Sequence, residues 1–146
     1  MDTAGERLFR GHHVTADDDS PSEIAVWSVD GWHAAERLQG QVHQWTAQPR
    51  AVVGFRVARP HALVLAMDAM PAATAAGPQR LAVRVNGHVV VEDWQGARRV
   101  EQAAHLLQAG ENTLALEVPE AVRIPSDPRA LGVLVRQLRI IDPAAR

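Results

Sequence analysis

The stretch from Leu81 to Val118, LAVRVNGHVVVEDWQGARRVEQAAHLLQAGENTLALEV, decides the fold class. Its first strand has apolar residues at every second position: Leu81, Val83 and Val85. This alternation is typical of a β-strand with one buried face. Asn86-Gly87 follows at once, a pair that readily takes the positive φ angles of a tight turn, and His88 to Glu92 provides a returning strand. The stretch therefore begins with a β-hairpin.

The second half of the same stretch ends in another alternating strand. Thr113 to Val118 places Leu114, Leu116 and Val118 inward, after a turn at Gly110-Glu111-Asn112. The residues from Arg98 to Gln108 leave two interpretations open. Helical spacing of the apolar residues indicates an amphipathic helix, whereas the flanking strands favour a strand to Gln102 followed by one helical turn. We prefer the second, because both neighbours are strands.

The rest of the chain has further strand patterns. Ala62 to Ala69 is apolar on both faces, which predicts a central strand. Leu131 to Ile141 changes phase near Arg136-Gln137, which predicts a β-bulge. The other candidate strands are Ile24 to Val29, Val42 to Thr46 and Val52 to Val57. Together the patterns predict an all-β fold, an antiparallel β-sandwich of the jelly-roll type.

Composition excludes several classes of function. The 146 residues are 47% hydrophobic, so a packed core is expected. The formal charge is −2, and without a basic excess we expect no nucleic-acid partner. The absence of cysteine excludes disulfides, thiolate zinc sites and a cysteine nucleophile. No phosphate-binding loop or dinucleotide fingerprint is present, and we expect no cofactor.

The two ends of the chain suggest how it is organised. We expect residues 1–22 to form an arm, because they are polar and include the run Asp17-Asp18-Asp19, and residues 23–142 to form the sandwich. No segment approaches the roughly 18 apolar residues of a membrane helix, so no membrane insertion is expected. The N-terminus lacks the layout of a secretory signal, so a complete chain would be cytoplasmic, and the localisation is otherwise open.

The pattern from Leu81 to Val118 resembles the galactose-binding-like jelly-roll domains, which accompany many glycoside hydrolases and other carbohydrate-active proteins. The similarity is carried by Val-Asn-Gly at the first turn and by Leu-Leu-x-x-Gly-Glu-Asn-x-Leu-x-Leu-x-Val after it. In this pattern Leu106-Leu107 plugs the end of the sandwich, and Gly110 lets the chain turn sharply into the last strand. The resemblance implies the jelly-roll fold.

A second resemblance covers more of the chain. Its parts are Gly31-Trp32-His33-Ala34-Ala35-Glu36, Gln44-Trp45-Thr46, and the run from Pro125 to Val133, which contains Ser-Asp-x-Arg-x-Leu-Gly. These segments resemble accessory β-sandwich domains of bacterial glycosyltransferases and surface-polysaccharide proteins. The sequence departs from the pattern at Gln44, where arginine is usual. The resemblance implies a carbohydrate-associated role.

The second resemblance also suggests candidate ligand-binding residues: Trp32, His33, Glu36, Arg37, Asp127 and Arg129. A tryptophan ring can stack on the apolar face of a pyranose, and an arginine fork suits bidentate contacts. The alternative interpretation is structural, with Trp32 packed into the core. Glu36 then pairs with Arg129, and Asp127 closes a turn.

No constellation in the sequence predicts catalysis or a metal. Glu36 and Asp127 are the two carboxylates that a glycosidase would use, but no feature of the sequence places them in one cleft. The acidic run Asp17-Asp18-Asp19 lacks the spacing of a calcium loop, and no serine lies in a nucleophile elbow. We therefore predict that the chain is not an enzyme and holds no metal.

The sequence as a whole predicts a non-catalytic, carbohydrate-associated module. Its partner would be a glycan, bound weakly, or a polysaccharide-handling protein. The alternative is a structural or interaction protein that self-associates as a homo-oligomer, or docks on a partner, through a face or edge of the sandwich. The two-sided strand Ala62 to Ala69 motivates this alternative, because extra apolar surface tends to drive assembly.

Overall fold

A computed structural model describes residues 22–143. The expected N-terminal arm lies outside these residues except for Ser22, which begins the first strand. The 13 strands are β1 Ser22–Ile24, β2 Val26–Asp30, β3 Glu36–Leu38, β4 Gln41–Trp45, β5 Arg50–Val57, β6 Leu63–Pro71, β7 Ala82–Val85, β8 His88–Val91, β9 Gly96–Gln102, β10 Gly110–Glu117, β11 Val122–Ile124, β12 Asp127–Leu131 and β13 Val133–Asp142. The arm and the domain boundaries stay predictions.

The strands form two main antiparallel sheets that face each other across one core. The six-stranded sheet has the order β3-β4-β13-β6-β9, and β1 also pairs with β13. The five-stranded sheet has the order β2-β5-β10-β7-β8, and β11 pairs with β12 as a separate hairpin. Sequential strands repeatedly cross from one sheet to the other, as in a jelly roll. The predicted antiparallel β-sandwich is confirmed.

The hairpin that opens the decisive stretch forms as the sequence predicts. Asn86 and Gly87 have φ angles of 48° and 88°, the left-handed values that the tight turn requires. Leu81, Val83 and Val85 are buried. Leu114 and Leu116 of β10, the strand paired with β7, are buried too, as is Val118 directly after β10. The ambiguous region is a strand, β9, followed by a single 3-10 turn at Ala104–Leu106, which is the interpretation that we preferred.

One outward position differs from the simple alternation. Ala115 lies on the outer face of β10, yet only 3% of it is exposed. Its cross-strand partners are Val52 on β5 and Arg84 on β7, and larger side chains on both flanking strands cover so small a residue. An outward position in an alternating strand therefore does not by itself expose Ala115 to solvent.

The last strand is irregular at the predicted point. Val135 pairs with Ala69 and Gln137 pairs with Asp68, so Arg136 is an extra residue in the ladder. This bulge lets Val133 and Val135 face the core before it and Leu138 and Ile140 after it, although the two sets are out of phase in the sequence. β6 lies between β13 and β9, as its two apolar faces predict.

The core lies between the sheets and includes one large aromatic residue. Trp94 is fully buried, its indole N–H donates to the carbonyl of Gly96 at 2.9 Å, and the guanidinium of Arg98 lies 5.1 Å from its ring centroid. Leu107 packs into the core and Leu106 packs against it, as expected of residues that close the end of the sandwich. Among residues 22–143, no helix has the length and hydropathy needed to cross a bilayer.

Candidate functional site

Three charged side chains meet in what we call the Arg129 cluster: Glu36, Asp127 and Arg129. Nη1 of Arg129 donates to Oε2 of Glu36 at 2.5 Å. Nη2 donates to Oδ2 of Asp127 at 2.7 Å, and Nε donates to Oδ1 of the same carboxylate at 3.0 Å. β3 carries Glu36 and β12 carries the other two, so the fold joins positions 93 residues apart. The structural pairing of Glu36 with Arg129 is present.

The charges of the Arg129 cluster are fixed by the pairing. Hydrogen bonds from the side chain and then the backbone N–H of Arg129 lower the pKa of Asp127 from 3.8 to about 2. Hydrogen bonds to Asp127 and then to Glu36 raise the pKa of Arg129. The carboxylate of Asp127 therefore stays ionised at neutral pH and cannot act as a general acid there.

Two histidines border the Arg129 cluster. Nε2 of His43 lies 3.2 Å from Oε1 of Glu36, and Nε2 of His33 donates to the carbonyl of Ala130 at 2.8 Å. Gln44, which replaces the arginine of the related pattern, is buried, and its Nε2 donates to the carbonyl of His33 at 2.6 Å. Gln44 therefore positions the loop that carries His33.

Trp32 is only partly exposed. It packs against the core, and its indole N–H donates to the carbonyl of Val52 at 3.0 Å. The backbone of Trp32 also forms an isolated antiparallel bridge with Thr46. These contacts match the structural interpretation of this residue more closely than an open stacking platform.

The side chain of Arg37 lies on the face of β3 opposite to the Arg129 cluster. It follows Glu36 on β3, so its side chain leaves the opposite face of the strand. Its Nη1 donates to the carbonyl of Gly40 at 2.9 Å, within the turn between β3 and β4. Whether Trp32, His33, Glu36, Arg37, Asp127 and Arg129 bind a ligand stays a prediction.

Close packing requires glycine at both Gly31 of the Gly-Trp pattern and Gly132 of the Leu-Gly pattern. Gly31 has a φ of +86°, and a Cβ there would lie 2.5 Å from the carbonyl oxygen of Arg50. A Cβ on Gly132 would lie 2.8 Å from the carbonyl oxygen of Gln48. Much of the Gly-Trp and Leu-Gly patterns therefore serves the fold rather than a ligand.

Trp27, and not Trp32, is the tryptophan with the large exposed fraction. Trp27 on β2 pairs with Gly54 on β5, on the outer face of the five-stranded sheet, and 38% of it is exposed. A glycine inside a strand is a signal of close approach by another group, so Gly54 was the available clue.

Within residues 22–143, no three or more His, Asp or Glu side chains are arranged to hold a metal ion. The acidic run Asp17-Asp18-Asp19 lies outside the described part of the chain, so its metal-binding interpretation stays open.

Comparison with known proteins shows the fold. No family model and no curated protein matches the sequence. A GH115 4-O-methyl-α-glucuronidase with specificity for decorated arabinogalactans matches over 94% of this chain, at 12% identity and a TM-score of 0.50. The matched segment is 19% of that enzyme, so this chain spans about a fifth of its length.

Two smaller solved structures also match. A family 35 carbohydrate-binding module from Clostridium thermocellum shares 14% identity, with 80% of this chain and 96% of that one covered and a TM-score of 0.43. A CBM35 from Paenibacillus barcinonensis shares 12% identity, with 86% and 94% covered and a TM-score of 0.39. At 12% identity and a TM-score of 0.50, the match to the glucuronidase segment shows a shared β-sandwich fold alone.

Proposed function

We propose that this chain is a non-catalytic, carbohydrate-associated module that binds glycans weakly or serves as an accessory domain in polysaccharide handling. The observation that carries the proposal is the Arg129 cluster. Its side chains are only partly buried, with exposed fractions of 31% for Arg129, 38% for Glu36 and 21% for Asp127. Charged groups held in a fixed geometry are good partners for sugar hydroxyls.

The same geometry supports weak binding. A guanidinium has five N–H donors, and three of them, one each on Nε, Nη1 and Nη2, already serve Asp127 and Glu36. A sugar hydroxyl must therefore use the remaining donors and the free lone pairs, or displace an ion pair. Each new hydrogen bond then contributes little net free energy.

The geometry also supports a non-catalytic role. A glycosidase needs two carboxyl groups on either side of an open space that admits the glycosidic bond. In this chain Arg129 bonds to both Glu36 and Asp127, so its guanidinium occupies the space between them. The β-sandwich fold alone fixes no function, so the argument depends on this cluster.

Calorimetric titration of the chain with a panel of neutral and uronic-acid oligosaccharides tests the proposal. We expect binding at millimolar concentration, weakened by Arg129→Ala and unchanged by Arg99→Ala, which alters an exposed arginine on β9. If the wild-type chain binds none of the oligosaccharides, the glycan-binding half of the proposal is wrong.

A specific surface favours the alternative, self-association. Trp45, Leu134 and Met70 are adjacent across β4, β13 and β6 on the outer face of the six-stranded sheet. Met70 is 43% exposed, so this apolar strip reaches solvent. Light scattering over a concentration series tests it: a dimer that Met70→Glu dissociates supports self-association, and a monomer at high concentration contradicts it.

A further inference from the structure

Trp27 differs from Trp32 and Trp94 in the hydrogen bonding of its indole N–H. The indole N–H groups of Trp32 and Trp94 donate to backbone carbonyls at 3.0 and 2.9 Å. Within residues 22–143, the indole N–H of Trp27 has no hydrogen-bond acceptor. With 38% of the residue exposed, Trp27 offers apolar ring surface to solvent.

The indole of Trp27 packs directly against Gly54, which has no side chain to hold it away from the sheet. A Cβ built on Gly54 would lie 2.6 Å from Nε1, 2.7 Å from Cε2 and 3.0 Å from Cζ2 of Trp27. The indole thus lies directly over the glycine backbone, in space that any other residue would fill. This close packing keeps the ring against the sheet and limits its conformational freedom.

Small side chains lie beside Trp27 on the outer face of the five-stranded sheet. Thr113 pairs with Gly54 on the next strand, and the adjacent row contains Val52 and Ala115. Residues opposite each other in an antiparallel pair share a face, so all of these lie on the outer face with Trp27. Val52 and Ala115 are only 6% and 3% exposed, so Thr113 and the charged side chains of this face form the surface that solvent reaches beside the ring.

The outer face of the five-stranded sheet also carries charged residues, and their charges cancel. Glu117 accepts from Nε of Arg84 at 2.9 Å and from Nε of Arg50 at 3.1 Å. The register places six charged residues on this face of β2, β5, β10 and β7: Arg50, Arg56 and Arg84 with Asp30, Glu111 and Glu117. Three positive and three negative groups offer hydrogen bonds without attracting an ionic ligand.

We infer that this outer face, centred on Trp27 over Gly54, is a binding surface for neutral pyranose units of a glycan chain. The inference rests on the proposed carbohydrate-associated function and locates a site for it. A pyranose stacks its C–H face on an aromatic ring while its hydroxyls bond to nearby polar groups, and Trp27 with the surrounding ion pairs provides both.

This surface is separate from the Arg129 cluster. Trp27 belongs to the five-stranded sheet, whereas Glu36 of the cluster lies on β3 in the six-stranded sheet. Binding at one site can therefore be distinguished from binding at the other by which side chains respond.

The test is an NMR titration that follows the indole N–H signals of the 4 tryptophans. The probes are neutral hexasaccharides of β-linked glucose, mannose and galactose at millimolar concentration. Loss of one signal in Trp27→Phe assigns the Trp27 signal. We expect at least one hexasaccharide to shift the Trp27 signal and to leave the signal of the buried Trp94 in place.

Affinity measurements complete the test. Trp27→Ala should weaken binding roughly tenfold, the effect of losing one aromatic stacking contact. Met70→Ala, which removes another exposed apolar side chain on the other sheet, should not change affinity. If Trp27→Ala does not fold, the wild-type titration alone decides.

The possible outcomes separate this inference from the proposed function. A shift of the Trp27 signal supports both. A shift of the Trp32 signal with Trp27 unchanged overturns the inference while glycan binding stands. If no tryptophan signal moves and calorimetry detects no binding of any oligosaccharide, the glycan-binding function fails and the inference fails with it.

Discussion

Asn86 and Asn112 are hydrogen-bonded to each other through their side chains, with Nδ2 of Asn86 2.8 Å from Oδ1 of Asn112. Asn112 is 1% exposed, and its Nδ2 donates to the carbonyls of Gln108 and Gly110 at 2.9 and 3.0 Å. Oδ1 of Asn86 accepts from the backbone N–H of Thr113 at 2.9 Å. This pair ties the β7–β8 hairpin to the start of β10, so the two asparagines of the decisive stretch act together.

The first prediction concerns this pair. Asn112→Ala removes the acceptor of Asn86 and leaves the carbonyls of Gln108 and Gly110 without their donor. Because buried polar groups that lose their partners are costly, we expect the free energy of unfolding to fall by about 2–4 kcal/mol. Urea denaturation measures the change.

The matched control is Gln95→Ala, which removes an exposed amide and should change stability little. Asn112→Asp should be destabilising as well, because a carboxylate cannot donate to the two carbonyls. An Asn112→Ala chain as stable as the wild type would contradict the role of this network.

The second prediction concerns the pH dependence of the Arg129 cluster. Hydrogen bonds from Arg129 lower the pKa of Asp127 from 3.8 to about 2 in the folded chain. A depressed folded-state pKa adds stability that is fully present above pH 3.8 and is lost as the pH falls through 2. Asp127→Asn should therefore be less stable than wild type at neutral pH and should approach it near pH 2.

Urea midpoints for both chains, measured in steps from neutral pH downward, follow this difference. Asp93→Asn, at an exposed position, is the control and should stay close to wild type throughout. A stability difference between Asp127→Asn and wild type that is the same at every pH would show that the ion pair with Arg129 is not its cause.

The third prediction concerns the contact between Gly54 and Trp27. A Cβ at Gly54 would lie 2.6 Å from Nε1 of Trp27, so Gly54→Ala must displace the indole or the strand. We expect a loss of about 1–3 kcal/mol in stability, typical of overpacking, and a change in tryptophan emission. Gly54 has no left-handed φ, so backbone strain does not contribute.

A double-mutant cycle isolates the steric cause. When Trp27 is already alanine, the added methyl group at Gly54 meets open space, and Gly54→Ala should cost little. If the cost of Gly54→Ala is unchanged in the Trp27→Ala chain, the clash with the indole is not responsible.

Local patterns could be predicted from the sequence because their causes lie close together in the chain. The Asn86-Gly87 turn and the bulge at Arg136 each follow from residues within one or two strands. The environment of the tryptophans has a different origin. Trp32 is half-buried because it donates to Val52, 20 residues later, and Trp27 is held by a glycine on a paired strand. Those contacts depend on which strands lie next to each other, and the local sequence does not show this.

The candidate site was predictable to a similar extent. The alternative, structural interpretation of the signature residues paired Glu36 with Arg129, and the structure brings these two side chains together. Their partner Asp127 also closes its own turn, by accepting from the backbone N–H of Arg129 at 3.0 Å. The sequence could not show how far these groups are exposed, because exposure depends on how the β11–β12 hairpin lies beside β3 and β4.

The last prediction tests the bulge in β13. Arg136 is exposed and is the extra residue between the pairs Val135–Ala69 and Gln137–Asp68. Because side chains alternate along a strand, deletion of Arg136 makes the whole strand continuous in phase. Val133 and Val135 before the deletion and Leu138 after it then all face the core in one regular alternation, and the existing pairs with β6 are kept.

The deletion chain should therefore fold and should unfold close to the wild-type temperature, because no buried side chain has to leave the core. Arg136→Ala keeps the bulge and removes only an exposed side chain, so it should be close to wild type in thermal denaturation. A deletion chain that does not fold would mean that β13 needs the bulge itself, and that the extra residue does more than shift the phase of the alternation.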